Sequence, residues 1–124
     1  MIIAVDFDGT CTTHNFPRVG EEIGAGEVLR ELVGKGHQII LNTMRSGEEL
    51  EHAVEWFRIN QIPLFGINEN PQQKAWTKSP KVYAHMYIDD AALGCPVKED
   101  KKLSTRPFVD WAGVKAELKK CKIL

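Results

Sequence analysis

The chain has 124 residues, which fits a single domain over 1–124, and its 16 Lys and Arg nearly balance its 17 Asp and Glu. Without a basic excess or a long basic run, nothing indicates nucleic acid as an obligate partner, although a nucleotide or a phosphorylated sugar stays open as a substrate. The three cysteines lack CxxC spacing, which argues against a disulfide framework or a zinc site. The N-terminus does not resemble a leader peptide, and no apolar run is long enough to span a bilayer. We therefore expect a cytoplasmic protein that does not associate with a membrane.

The first elements along the chain alternate between strand and helix. Residues 2–5 form a short apolar run that predicts a buried strand. Residues 21–33 carry apolar side chains at helical spacing, and Gly34 and Gly36 then predict the end of that helix. Residues 37–42 predict a second buried strand.

The middle of the chain continues this alternation. Ser46 and Glu49 have the spacing of a capping box, which predicts the start of a second helix. An apolar stripe at positions i, i+3, i+4 and i+7 begins at Leu50 and gives that helix one buried face. Residues 64–67, directly after Pro63, predict a third strand.

The last part of the chain is less regular. Residues 68–80 predict mostly loop with a short helix, and residues 84–88 predict a fourth strand. Residues 92–108 read as irregular, and Asp110 predicts the N-cap of a last helix. Strands alternating with helices imply an α/β fold: a three-layer, Rossmann-like arrangement around a mainly parallel sheet.

Polar residues follow three of the predicted strands. They are 6–10 after the first strand, 42–45 after the second, and 89–90 after the fourth. Because ligands of open parallel sheets bind beyond the carboxyl ends of the strands, these residues are expected to meet at one edge. Two carboxylate pairs, hydroxyls and an arginine would then share one site.

The first carboxylate pair suits phosphoryl chemistry. Asp6 and Asp8 lie two apart, so both carboxylates can face one pocket, and Gly9 allows a tight turn after them. Together with the second pair they would repel each other, and Mg²⁺ relieves such repulsion. One aspartate can attack phosphorus while another transfers protons. An acidic turn without function is the alternative for this motif.

The motifs resemble those of the haloacid dehalogenase superfamily of aspartate-nucleophile phosphatases. The family's first motif, DxDGT after an apolar strand, stands here as residues 6–10. The resemblance implies Asp6 as nucleophile and metal ligand, and Asp8 as general acid/base with its backbone carbonyl on the metal. Gly9 and Thr10 would contact the phosphate.

Two further motifs of the family are matched. The strand that ends in Asn42 and Thr43 resembles the second motif, which implies that Thr43 and its neighbour bind phosphate. Arg45 is placed to grip the phosphate in a bidentate manner. The acidic pair after the fourth strand resembles the last motif, which implies Asp89 as a magnesium ligand and Asp90 as a direct or water-mediated one.

The third motif is a lysine upstream of that pair, and here three candidates stay open. Residues 81–90 resemble a K-P-x-A-D-x-Y-I-D-D run of small members, which favours Lys81, although Val82 and His85 replace Pro and Asp. Lys74 and Lys78 also qualify by distance.

Other residues carry weaker signals. The four histidines lack metal-ligand spacing, so His14 is expected to have a packing or surface role. The three tryptophans are expected in or near the core, and residues 68–70 could touch a substrate.

No segment is long enough for the cap domain of larger family members, so the chain resembles the capless branch. The function predicted from the resemblance is Mg²⁺-dependent hydrolysis of a phosphate monoester. The phosphate would be carried by a small molecule or a polymer. In a homo-oligomer, a neighbouring subunit could cover the open site. Three alternatives are a phosphotransferase, a dehalogenase, and a catalytically silent module that binds phosphate or serves as a scaffold. Dehalogenases of the family usually lack the second aspartate of the first motif, which is present here as Asp8.

Overall fold

A computed structural model describes all residues from Met1 to Leu124. It contains six strands, three α-helices and one 3₁₀ helix. In chain order the elements are β1 (Ile2–Val5), α1 (Ala25–Gly34), β2 (Gln38–Leu41), α2 (Gly47–Ile59), β3 (Leu64–Ile67), a 3₁₀ helix (Gln73–Ala75), β4 (Met86–Ile88), β5 (Val97–Lys98), β6 (Phe108–Val109) and α3 (Trp111–Lys120).

The first four strands form one parallel sheet. Its order is β3-β2-β1-β4, so β1 lies in the interior with β2 on one side and β4 on the other. Both neighbours pair with β1 in parallel, with Val5 opposite Leu41 and Ile88. The residues that follow these three strands therefore emerge at one edge, as the sequence predicts.

The two faces of the sheet are covered differently. On one face, Ile3 and Val5 of β1 and Ile39 and Leu41 of β2 join residues from all three α-helices in a core of 19 buried residues. On the other face, Ala4 and Ile40 pack against Val82 and Ala84. These two belong to the segment that follows the 3₁₀ helix. The arrangement confirms the predicted α/β fold: a four-stranded parallel sheet flanked by helices, Rossmann-like and three-layered.

Helix α1 begins at Ala25, not at residue 21 as the apolar spacing predicts. The preceding residues pair with the loop after β1 instead. The Thr13 amide donates to the Glu21 carbonyl (3.1 Å), and the Glu21 amide donates to the Thr13 hydroxyl (2.8 Å). Gly24 then takes a left-handed conformation with φ of 98° immediately before the helix.

Several smaller predictions also differ. Ser46 is the N-cap residue of α2, but its side chain makes no capping hydrogen bond, so the predicted capping box is wrong. The stretch predicted as irregular contains β5, which pairs with β6 in a short antiparallel ribbon. Trp56 and Trp111 are buried as predicted, whereas Trp76 is 64% exposed. No helix has the length and apolar character needed to cross a membrane.

Helix α3 holds the loop after β1 through its first residue. The Trp111 indole Nε1 donates to the Thr10 carbonyl at 2.7 Å, in a fully buried contact. Beside it, the Val109 amide donates to the Gly9 carbonyl at 2.9 Å. The C-terminal part of the chain thereby satisfies buried carbonyl groups of the DxDGT turn.

Replacing Trp111 with Phe keeps a large ring but leaves the Thr10 carbonyl without its donor. We expect W111F to lower the free energy of unfolding by about 1–3 kcal/mol, the cost of an unsatisfied buried polar group. Trp56, whose indole nitrogen makes no hydrogen bond to the protein, is the matched control. Urea denaturation should show a clearly larger loss for W111F than for W56F, and equal losses would contradict this role.

Candidate active site

Three carboxylates gather at the carboxyl edge of the sheet. Asp6 follows β1, and Asp89 and Asp90 follow the adjacent β4. The Asp6 amide donates to the Ile88 carbonyl at 3.0 Å, which continues the parallel ladder up to the acidic residues. One carboxylate oxygen from each of the three residues lies within 4.8 Å of those from the other two. We call this group the acidic cluster.

Thr10 bridges two members of the acidic cluster. Its hydroxyl oxygen lies 2.8 Å from Asp6 Oδ2 and 3.2 Å from Asp90 Oδ1, and it accepts a hydrogen bond from the Asp90 amide at 3.0 Å. A hydroxyl has one proton, so it donates to one carboxylate at a time. Thr10 was predicted to contact phosphate, and in the structure it is fully buried and occupied within the protein.

Asp6 is the carboxylate whose proton affinity the site changes most. Burial raises its pKa from an ordinary 3.8 to about 7, and the negative charge of Asp89 adds to this, while the Thr10 hydroxyl opposes it. The same surroundings would favour a bound cation, because a positive charge relieves the cost of burying ionised carboxylates. A set of carboxylate oxygens without nitrogen or sulfur suits a hard cation such as Mg²⁺.

The Asp8 side chain does not join the acidic cluster. Both of its carboxylate oxygens accept hydrogen bonds from Arg45, at 2.8 Å from Nε and 2.7 Å from a terminal nitrogen. The Arg45 side chain is only 1% exposed. Of the four carboxylates predicted to share one site, three therefore come together, and the fourth, that of Asp8, forms an ion pair with buried Arg45.

Arg45 has no donor left for a phosphate. Its remaining N–H groups donate to the backbone carbonyls of Pro17 (3.2 Å), Arg18 (2.6 Å) and Glu49 (3.0 Å). With the two bonds to Asp8, all five guanidinium donors are used. The structure therefore does not support the predicted bidentate hydrogen bonds from Arg45 to phosphate. The guanidinium instead binds Asp8 and backbone carbonyls, because the loop around Pro17 folds over it.

Thr43 lies at the next strand end and keeps a free donor. Its hydroxyl accepts from the Arg45 amide (3.1 Å), and its own amide donates to the Asn68 side chain (2.7 Å). The protein offers the Thr43 hydroxyl proton no acceptor, so this proton is available to an anion. Asn42, its neighbour, continues the ladder by donating from its amide to the Val5 carbonyl (2.8 Å).

None of the three candidate lysines forms an ion pair with the acidic cluster. The Lys81 side chain is exposed, and its ammonium lies over the Tyr87 ring, 5.8 Å from the ring centroid. Lys74 and Lys78 line a polar cavity of about 610 Å³ that also includes Asn68. The structure therefore leaves the lysine of the third motif unassigned.

His14 is a member of the site that the sequence did not indicate. Its Nε2 lies 3.1 Å from Asp90 Oδ2, with both side chains largely buried. A histidine four residues after the DxDGT turn has no periodic relation to an aspartate 76 positions later. No pattern in the sequence could have linked the two residues.

Comparison with known proteins gives one relative by structure. A solved structure of a conserved protein from Bacteroides thetaiotaomicron shares 36% sequence identity with this chain and superimposes with a TM-score of 0.77. The alignment covers 98% of this chain and 91% of that one. Scans against protein-family models and curated proteins gave no match.

The fold and site define a parallel α/β protein with an acidic cluster at its carboxyl edge. The chain belongs to the family of this conserved Bacteroides protein.

Removing Arg45 should strongly destabilise the fold. R45A leaves the Asp8 carboxylate and three backbone carbonyls without their buried donor, and breaking such a pair costs about 3–5 kcal/mol of unfolding free energy. Arg58, which forms an exposed ion pair with Glu55, is the matched control. Chemical denaturation should show a large loss for R45A and little change for R58A. Similar small losses for both variants would contradict the structural role of Arg45.

The raised pKa of Asp6 gives the metal-free protein a testable pH dependence. Between pH 3.8 and about 7, the folded state keeps a proton on Asp6 that the unfolded state has released. The contribution of Asp6 to stability therefore falls as pH rises through this window. The difference in unfolding free energy between D6N and wild type should grow in favour of D6N, by on the order of 2 kcal/mol between pH 4 and pH 8.

The measurement is urea denaturation in EDTA across that pH range. E51Q, which removes an exposed carboxylate on α2, serves as the control and should show no such trend. A D6N difference that stays constant with pH would contradict the raised pKa.

Proposed function

We propose that this protein is a Mg²⁺-dependent phosphohydrolase of the haloacid dehalogenase type, of the capless branch, with Asp6 as its nucleophile. The observation that carries the proposal is the acidic cluster, in which oxygens of Asp6, Asp89 and Asp90 lie within 4.8 Å of one another. The free hydroxyl proton of Thr43 at the neighbouring strand end supplies the donor that a phosphoryl oxygen needs.

The acidic cluster and the backbone carbonyl of Asp8 would hold the Mg²⁺. When bound, the cation supplies charge neutralisation for the carboxylates and orients a phosphoryl group for in-line attack. An all-oxygen donor set with several carboxylates is the chemistry that this cation prefers.

The chain's own residues account for the bond changes. An oxygen of Asp6 attacks phosphorus, the bond between phosphorus and the leaving-group oxygen breaks, and an aspartyl phosphate forms. Water then attacks the phosphorus, the bond between phosphorus and Asp6 breaks, and inorganic phosphate leaves. Thr43 donates a hydrogen bond to a phosphoryl oxygen throughout. Asp8 protonates the leaving group in the first step and takes a proton from water in the second.

Asp8 must release Arg45, at least in part, to do this. Two parallel N–H bonds from a guanidinium, such as Asp8 accepts in the structure, favour the ionised form of a carboxyl group and oppose its protonation. The proposal therefore includes a rotation of the Asp8 side chain during turnover. The same ion pair favours the second candidate function, a catalytically silent module that binds phosphate or a partner, because Asp8 held on Arg45 transfers no proton.

The substrate side of the site is open. Residues 11–24 hold no helix, and residues 68–85 hold only the three-residue 3₁₀ helix, so neither segment forms a cap. Such a site suits a large phosphorylated substrate or a roof supplied by a second copy of the chain. Lys81 is the proposed charge partner of the phosphoryl group and would have to leave the Tyr87 ring. Lys74 and Lys78, in the cavity beside Asn68, are the alternatives.

The direct test is hydrolysis of a generic aryl phosphate by the purified protein, with Mg²⁺ and with EDTA. We expect Mg²⁺-dependent turnover that D6N loses entirely and that E51Q retains. Acid quenching during turnover of a ³²P-labelled ester should trap label on wild type and none on D6N.

Two results would count against the enzyme. Turnover that persists in D6N would exclude Asp6 as the nucleophile. No turnover of a broad panel of phosphate esters, together with saturable binding of inorganic phosphate or Mg²⁺, would favour the binding module.

A further inference from the structure

The contact between His14 and Asp90 has a defined direction. His14 Nε2 and Asp90 Oδ2 are 3.1 Å apart, with side-chain exposures of 14% and 17%. An ionised carboxylate oxygen only accepts hydrogen bonds, so the proton in this contact belongs to Nε2. The imidazole is therefore a donor aimed at a member of the acidic cluster.

The fold makes room for the imidazole at this position. A Cβ on Gly9 would lie 2.0 Å from His14 Nε2, so the ring occupies space that only glycine leaves open. Gly9 also has a φ of 78°, a conformation that other residues rarely adopt. The glycine of the DxDGT turn thus serves the placement of His14 as well as the turn itself.

The backbone next to His14 is fixed from the other side. Thr13 is held by the two hydrogen bonds to Glu21 described above. A Cβ on Gly20 would lie 2.1 Å from the Thr13 carbonyl oxygen, so this approach also depends on a glycine. Close packing on both sides therefore fixes the position of His14. A chance contact on the protein surface would not be fixed in this way.

Asp90 is held at more points than Asp89. Its Oδ2 accepts from His14, its Oδ1 lies 3.2 Å from the Thr10 hydroxyl, and its amide donates to that hydroxyl. The Asp89 carboxylate accepts only from the Ala91 amide, at 2.9 Å. His14 and Thr10 thus each hold one oxygen of Asp90, and His14 is the contact that fixes Oδ2.

We propose that His14 is a positioning residue of the acidic cluster: it orients the Asp90 carboxylate and thereby sets the affinity of the cluster for a divalent cation. This rests on the proposed function only for the identity of the cation. Side chains that orient metal ligands in this way typically contribute about 10–100-fold to metal affinity.

The test is calorimetric titration of the metal-free protein with Mg²⁺, and with Mn²⁺ as a second probe. We expect H14A to weaken the Kd by about 10-fold or more. We expect H14Q, whose side-chain amide can donate in place of Nε2, to recover most of that loss. His52 also faces a carboxylate, Glu48, at 3.8 Å on the exposed surface of α2, so H52A is the matched control and should bind as wild type.

A Kd for H14A equal to that of wild type would overturn the proposal, and so would an H14Q variant as weak as H14A. If H14A does not fold, H14Q is still compared with wild type, and ¹H–¹⁵N spectra of the histidine rings are recorded on the wild-type protein as a second measurement. These should show the proton on Nε2 of His14, and saturating Mg²⁺ should shift the His14 signals but not those of His52. A His14 ring that does not respond to Mg²⁺ would overturn the positioning role.

The outcome is separable from that of the proposed function. Mg²⁺ binding that H14A weakens, without hydrolysis of any phosphate ester, supports the positioning role and contradicts the phosphatase. Hydrolysis that depends on Asp6, with an unchanged Kd in H14A, supports the phosphatase and contradicts the positioning role. A wild-type protein that binds neither Mg²⁺ nor Mn²⁺ contradicts the positioning role and the metal dependence together.

Discussion

Electrostatic repulsion among carboxylates at the ends of β1 and β4 is the constraint on which the account of this site depends. Parallel pairing of these strands places Asp6 beside Asp89 and Asp90, at a depth where burial raises the pKa of Asp6 to about 7. The hydrophobic core fixes the strands and hence the carboxylates. The sheet thereby brings like charges together at a buried edge, an arrangement that a bound cation would relieve.

The negative charges of the four carboxylates near the site, those of Asp6, Asp8, Asp89 and Asp90, are treated in two different ways. Asp8 is neutralised by the buried guanidinium of Arg45, which also joins α2 to the loop around Pro17. The other three carboxylates have only hydroxyl, amide and imidazole donors, which orient them without cancelling their charge. This division separates a structural ion pair from a cluster of carboxylates that no cation of the protein neutralises. It also means that any proton transfer by Asp8 requires the structural pair to open.

Much of the fold was predictable because local pattern and tertiary structure agree in it. The apolar runs that predict β1 and β4, and the rule that the ends of parallel strands share one edge, were sufficient to bring Asp6 together with Asp89. The parts that the sequence did not predict depend on contacts between distant residues. Arg45 has the spacing of a phosphate ligand, but the loop at residues 16–18 takes up its donors. His14 is placed by the absence of a side chain at Gly9. Glu21 pairs with Thr13, so residues 21–24 do not extend α1.

We infer that the acidic cluster holds one divalent cation. The most direct test of this inference is anomalous diffraction from crystals of the protein grown with Mn²⁺. We expect a single strong anomalous peak among Asp6, Asp89 and Asp90, about 2.1 Å from at least two of their carboxylate oxygens. A cluster without a peak at saturating Mn²⁺, or a peak held by other residues, would contradict it.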